Sequence, residues 1–190
     1  MLNLQKCITE GSLAAVIKVV VSSRSDVKGV QRSRDLGLPT FVVERKRLSP
    51  EAFQQGVTDA VGEVDLVCMG GFLSLWHIPQ RYYGRVMNIH PALLPEFGGR
   101  AMYGHRVHEA VLAAGRTVSG CTVHFCDNDY DHGPIILQRT VPVLPDDTPD
   151  SLAARVFEQE CIAYPEAIRL FAQGRIRLEG NKVIHLPADA

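Results

Sequence analysis

Four short apolar runs, at residues 16–21, 40–43, 65–69 and 86–89, punctuate the first half of the chain with almost no polar alternation. Runs of this kind suit parallel strands buried on both faces. Between them the pattern shifts to helical spacing at 27–36 and again at 50–61. Gly37 and Pro39 stop the first of these helices, while Ser49 and Pro50 give the second an N-cap and a first-turn proline. Strand–helix alternation with short connections predicts an α/β fold: an open, mostly parallel twisted sheet with flanking helices.

The second half changes character. Residues 118–126 and 135–143 read as longer strands joined by an Asp-rich segment, 127–134. Residues 146–149 introduce a long helix over about 151–172, with Leu152, Val156, Ile162, Ile168 and Leu170 roughly on one side. The stretches 175–178 and 182–185 predict a small hairpin around Glu179-Gly180-Asn181. At the other end, residues 1–10 read as a helix (Leu2, Leu4 and Ile8 apolar) with no strand before it. In an open α/β fold the first strand and its turn are usually central, so this chain opens one element late. With no internal repeat or low-complexity linker, residues 1–190 are expected to form one domain.

Composition narrows the function classes. A chain 46% hydrophobic and 22% charged is an ordinary globular one, and a net charge of −1 lacks the basic excess of a nucleic-acid binder. The run Arg45-Lys46-Arg47 reads as a solvated face, with a phosphate contact as the alternative. Five cysteines without a CxxC pair argue against a disulfide framework or a structural zinc site and fit a reducing cytoplasm. No signal peptide and no bilayer-length apolar run are present, so a cytoplasmic location without a membrane partner is expected.

Two stretches carry chemistry: Asn88-Ile89-His90-Pro91-Ala92-Leu93-Leu94-Pro95 and Asp129-Tyr130-Asp131-His132-Gly133-Pro134. Asn88 and His90 end the strand at 86–89, where ligands bind in open α/β sheets. Asp131 enters a tight turn ahead of the next strand. An amide can donate to a developing oxyanion, an imidazole can carry a proton, and a carboxylate can orient that imidazole. Each residue alone also suits a structural role, as a cap, a gap-filler or a turn acceptor. His124 on its apolar strand reads alone as a satisfied core histidine. His105 and His108 at i and i+3 lack a third ligand at convincing spacing, so no metal is expected. The Gly70-Gly71 pair would allow close ligand approach or merely a turn.

At these motifs the chain resembles the phosphoribosylglycinamide formyltransferases, folate-dependent enzymes of purine synthesis. The likeness continues through Val107-His108-Glu109-Ala110-Val111-Leu112, Gly120-Cys121-Thr122-Val123-His124-Phe125, Asp131-His132-Gly133-Pro134-Ile135-Ile136-Leu137-Gln138 and Glu158-Gln159-Glu160-Cys161-Ile162-Ala163-Tyr164-Pro165. It implies formyl transfer from 10-formyltetrahydrofolate, as co-substrate, to the amine of glycinamide ribonucleotide, without a metal. Asn88, His90 and Asp131 match the family's catalytic trio, with His124 in support. Folate contacts are implied for Gly71, Phe72, Leu73 and for the loop Cys126, Asp127, Asn128, Asp129 and Tyr130; ribonucleotide contacts for Pro91 and Glu160.

The resemblance also implies small-molecule partners only, and a monomer or homodimer. Other outcomes within reach are a sugar-amine or methionyl-tRNA formyltransferase, a formyltetrahydrofolate hydrolase, or a non-catalytic relic. Two departures stand out. The family's first strand and Gly-rich phosphate turn would precede Met1, so the chain is expected to be N-terminally truncated relative to the family. Leu73-Ser74-Leu75-Trp76 stands where the family often has an arginine near the folate tail.

Overall fold

A computed structural model describes residues 1–187. In chain order the elements are α1 (Leu2–Thr9), β1 (Val20–Ser22), α2 (Lys28–Asp35), β2 (Thr40–Val42), α3 (Pro50–Val61), β3 (Val67–Met69) and β4 (Val86–His90). Then come α4 (His105–Ala113), β5 (Val118–Phe125), β6 (Ile135–Pro142), α5 (Pro149–Ala172), β7 (Ile176–Glu179) and β8 (Lys182–His185). Strand β1 pairs with β2, and β3 with β4, both in parallel, as the continuous apolar runs require. From β4 the sheet continues antiparallel through β5 and β6, and β7–β8 closes as a hairpin.

Side-chain parity sorts this sheet into two faces. Met87, Cys121, Val123 and Phe125 pack into one core with Leu152, Val156, Ala163 and Ala167 of α5. On the opposite face, Val67, Met69 and Val86 pack with Phe53, Val57 and Val61 of α3, together with Trp76 and Tyr82. Ser49 caps α3, accepting from the Ala52 N–H at 3.2 Å. Tyr164 ties the parallel pair together, its hydroxyl 2.7 Å from the Met69 carbonyl and 3.0 Å from that of Met87.

Two boundaries differ from the sequence reading. Helix α5 begins at Pro149 rather than near Ser151, because Thr148 and Ser151 form a reciprocal capping box whose cap residue lies four positions before the first apolar residue, Leu152. Strand β1 begins at Val20 rather than Val16. Its partner β2 starts at Thr40, among the described residues no strand runs beside residues 16–19, and Val16 is 83% exposed.

Beyond these boundaries, the sheet has a break. Strands β1 and β2 form one two-stranded sheet, and β3 to β6 form another. Helix α3 and the cluster around Phe53 span both, because Val21 and Val43 pack there beside Val67 and Met69.

Candidate active site

The site grows from strand register. Asn88 lies opposite His124, and His90 opposite Thr122, so four residues of alternating parity share one sheet face. The intervening pairs, Met87 with Phe125 and Ile89 with Val123, point into the core beneath α5. Burial of that apolar set fixes the register, since a one-residue slip would invert every side chain. Asp131 reaches the same place from the loop between β5 and β6. It sits at φ 53°, in the left-handed region that aspartate tolerates better than most residues. Gly133 follows, where a Cβ would collide with the Phe125 carbonyl, so only glycine lets the loop pass this close to β5.

The polar contacts are specific. Asn88 Nδ2 donates to Asp131 Oδ1 at 3.3 Å and lies 3.1 Å from His124 Nε2. His124 Nδ1 is 2.9 Å from the Phe125 carbonyl. A carbonyl only accepts, so the ring proton of His124 belongs on Nδ1 and its Nε2 accepts from Asn88. By the same logic His90 donates from Nε2 to the Phe97 carbonyl at 2.8 Å, which leaves Nδ1 facing Asp131 Oδ2 at 3.4 Å. A neutral ring would then oppose a lone pair to a carboxylate, so a shared proton favours this pairing. The Gly99 N–H donates to the same Oδ2 at 3.0 Å.

Electrostatics set how firmly that proton is held. Burial lowers the His90 pKa below its ordinary value, and the charge of Asp131 opposes the shift without cancelling it. Burial pushes the Asp131 carboxyl upward, but the neighbouring His124 ring, the His90 charge and the Gly99 N–H together outweigh it and leave it below the usual carboxylate range. Asp131 is therefore ionised near neutrality, beside an imidazole that holds its proton loosely. A group that must give and take a proton needs this balance.

A cavity of about 260 Å³ opens on Asp131, walled by Leu94, Pro95, Gly98, Gly99, Tyr130 and Ile135 among others. Tyr130 also lines a second, more polar cavity of about 490 Å³ bounded by Arg45, Gln54, Leu73, Ser74 and His77. The expected folate residues divide between roles. Leu73 and Tyr130 line cavities, whereas Phe72 stacks on Phe53 at 6.4 Å and belongs to the core. Gly71, with φ 71°, ends the β3 turn and presents only backbone. Cys126 packs against the Phe53 cluster, and burial pushes its thiol pKa up.

Within the same loop, Asn128 accepts the Ile78 N–H at 3.0 Å and so anchors the loop to the segment after β3. Asp127 accepts from the Asp129 N–H at 2.8 Å and lies 2.7 Å from His132 Nδ1. The ligand atoms of Asp127, Asp129 and His132 lie within 4.8 Å of one another, but these bonds already occupy the Asp127 oxygens. His105 and His108 are not brought together: the first is exposed beside Asp150 and the second is buried.

Pro91 follows His90 directly and is half-buried. Glu160 stands on α5, which covers the opposite sheet face, and makes none of the hydrogen bonds that join the trio. Burial raises its carboxyl pKa to about 7. Sequence reasoning missed the scaffold around the trio. Thr122 donates to the Ala92 carbonyl at 2.7 Å and accepts from the Leu94 N–H at 3.0 Å, and Gln138 adds bonds to both Thr122 and Leu94. The Phe97 carbonyl and Gly99 N–H were missed too, because backbone groups leave no mark in a sequence; the Gly98-Gly99 pair was the available signal.

Comparison with known proteins decides the family. A formyl transferase family model matches residues 2–168. The chain belongs to the formyl transferase family. Within that family it is similar to the phosphoribosylglycinamide formyltransferase of Haemophilus influenzae, 35% identical over 190 aligned residues, covering 94% of this chain and 86% of the relative. It is also similar to the chloroplastic enzyme of that name from Vigna unguiculata, 37% identical over 92% of this chain, but spans only 57% of that relative's length. Among solved structures, glycinamide ribonucleotide transformylase 1 from Symbiobacterium toebii superposes with a TM-score of 0.88 at 39% identity, over 97% of this chain and 89% of that one. Among the described residues no helix is long and apolar enough to cross a membrane.

Proposed function

We propose that this formyl transferase moves a formyl group from 10-formyltetrahydrofolate to the amine of glycinamide ribonucleotide, with Asn88, His90 and Asp131 as its catalytic residues. The observation that carries this reading is the His90 Nδ1–Asp131 Oδ2 pairing at 3.4 Å, with Asp131 opening onto an apolar-walled cavity. The two cavities meeting at Tyr130 suit an elongated donor, flat where Leu94, Pro95 and Ile135 confine it and polar where it passes Ser74 and Gln54. Leu73 and the 126–130 loop would hold the folate; Pro91 and Glu160 would contact the ribonucleotide.

The chemistry follows from charge. The substrate amine bonds to the formyl carbon, and the C=O π electrons move to its oxygen. Protonated His90 stands beside that oxyanion. Asn88 turns to it the hydrogen now spent on Asp131, the longer of its two contacts at 3.3 Å. Asp131 accepts the proton released by the amine and delivers it, through His90 or water, to the folate nitrogen as the old C–N bond breaks. His124 holds Asn88 in place.

The test is consumption of formyl folate with and without glycinamide ribonucleotide. Consumption that requires the amine and matches formylated product one to one is expected. Equal consumption without an acceptor would assign a hydrolase instead.

A further inference from the structure

Two rungs close the loop that carries Asp131 between β5 and β6. At its base the Phe125 N–H donates to the Pro134 carbonyl at 2.9 Å. Further out, His132 Nδ1 lies 2.7 Å from Asp127 Oδ2, and because a carboxylate only accepts, the ring donates. The other oxygen of Asp127 takes the Asp129 N–H at 2.8 Å, a side-chain turn that begins the bend of the loop. Asn128 accepts the Ile78 N–H and ties that bend to the segment after β3. Asp127 is thus built into the near arm of the loop, and His132 fastens the far arm to it one residue after Asp131. Asp131 needs such support. A residue with a Cβ keeps a φ of 53° only where its surroundings impose it. Two contacts grip the chain just beyond it: Gly133 against the Phe125 carbonyl, and His132 on Asp127.

We propose that His132 is a positioning residue, whose bond to Asp127 holds the 127–132 turn so that Asp131 Oδ2 stays aimed at His90. The proposal rests on the catalytic role given to Asp131 above. His132 is exposed and Asp127 half-buried, and such a pair adds little to stability, so its effect falls on the aim of Asp131 rather than on folding. The hydrogen bond to Asp127, the charge of Asp127 and that of Asp129 raise the His132 pKa. Asp131 is the other charged group beside it on the loop, while Leu94, Pro95, Gly98 and Gly99, across the cavity that His132 also lines, bring none. The bond is therefore strongest with the ring protonated and weakens as pH rises through the ring's own titration.

The experiment follows the His90 ring by NMR titration in the parent chain, His132→Ala and His132→Asn. Removing only the charge of His132 would raise the His90 pKa, since a nearby cation disfavours a second one. Losing the aim of Asp131 lowers it, because the carboxylate that favours the charged ring moves away. The expected result is a lower His90 pKa in His132→Ala and a value close to the parent in His132→Asn, whose amide can donate from the place of Nδ1. Single-turnover formyl transfer should fall about two- to fivefold in His132→Ala below the pH at which His132 titrates, with the deficit shrinking above it and KM for the ribonucleotide unchanged. An unchanged or raised His90 pKa in His132→Ala overturns the inference, and so does a rate deficit equal at every pH. If the chain formylates no ribonucleotide, the His90 titration still decides the clamp; if transfer proceeds and that titration does not move, the clamp alone fails.

Discussion

Asp131 Oδ2 takes the Gly99 N–H at 3.0 Å on the same oxygen that faces His90 Nδ1 at 3.4 Å. One carboxylate oxygen is thereby fixed by a backbone donor and aimed at the imidazole, while the other takes the Asn88 amide. Fixing both oxygens limits Asp131 to one orientation, which a proton carrier between two nitrogens needs.

Replacing either partner should therefore remove catalysis without unfolding the chain. His90→Ala or Asp131→Asn is expected to lower turnover by roughly two to four orders of magnitude, the usual scale for acid–base and oxyanion groups. Steady-state kinetics check this, and near-normal turnover in both variants removes the pair from the chemistry.

The charge of Asp131 is the main influence raising the His90 pKa against burial. In Asp131→Asn that influence disappears, so the imidazole should titrate at a still lower pH than in the parent chain. NMR titration of the His90 ring measures the difference directly. An unchanged or higher value would mean that the two groups are not coupled.

Gly98 packs against the site from the loop after β4. An added Cβ would stand 2.5 Å from Leu94 Cδ2 and 3.2 Å from Asp131 Cβ. Leu94 is only 6% exposed and has little room to yield. Gly98→Ala should displace Asp131 and cost about tenfold or more in kcat, with a loss of stability on the order of 1–2 kcal/mol. Parallel kinetics and thermal melts separate the two effects, and a fully active variant would show that the loop repacks freely.

Glu160 offers a pH test of the fold. Its carboxyl pKa is raised by burial from 4.5 to about 7. The native state therefore binds more protons than the unfolded chain across this window, so stability falls as pH rises from about 4.5 to about 7. After discounting for partial exposure, the loss is on the order of 2 kcal/mol. Glu160→Gln should flatten that slope in denaturant titrations at a series of pH values; an unaltered slope would assign it to other groups.

The alternation of apolar runs and helical spacing was enough to predict an α/β sheet, because burying both faces of a parallel strand leaves little sequence freedom. It also placed His90 at the carboxyl end of β4, where the chain leaves the sheet, although it is only 3% exposed. Ser49 announced α3 through its hydroxyl, a local interaction that the sequence displays openly. The true start of α5 was less visible, since the capping box of Thr148 and Ser151 lies outside the apolar pattern.

Convergence was a matter for the tertiary structure. The register that sets Asn88 beside His124 follows from burying Met87, Val123 and Phe125 under α5, a long-range packing choice. The tautomer of His90 depends on the Phe97 carbonyl, and the aim of Asp131 on the Gly99 N–H. Nearly every residue type carries those backbone groups, so no side-chain pattern marks them. The break between β1 and β3 likewise emerges only when edges are paired in space, because a hydrogen-bonded neighbour is a property of the sheet and not of either strand alone.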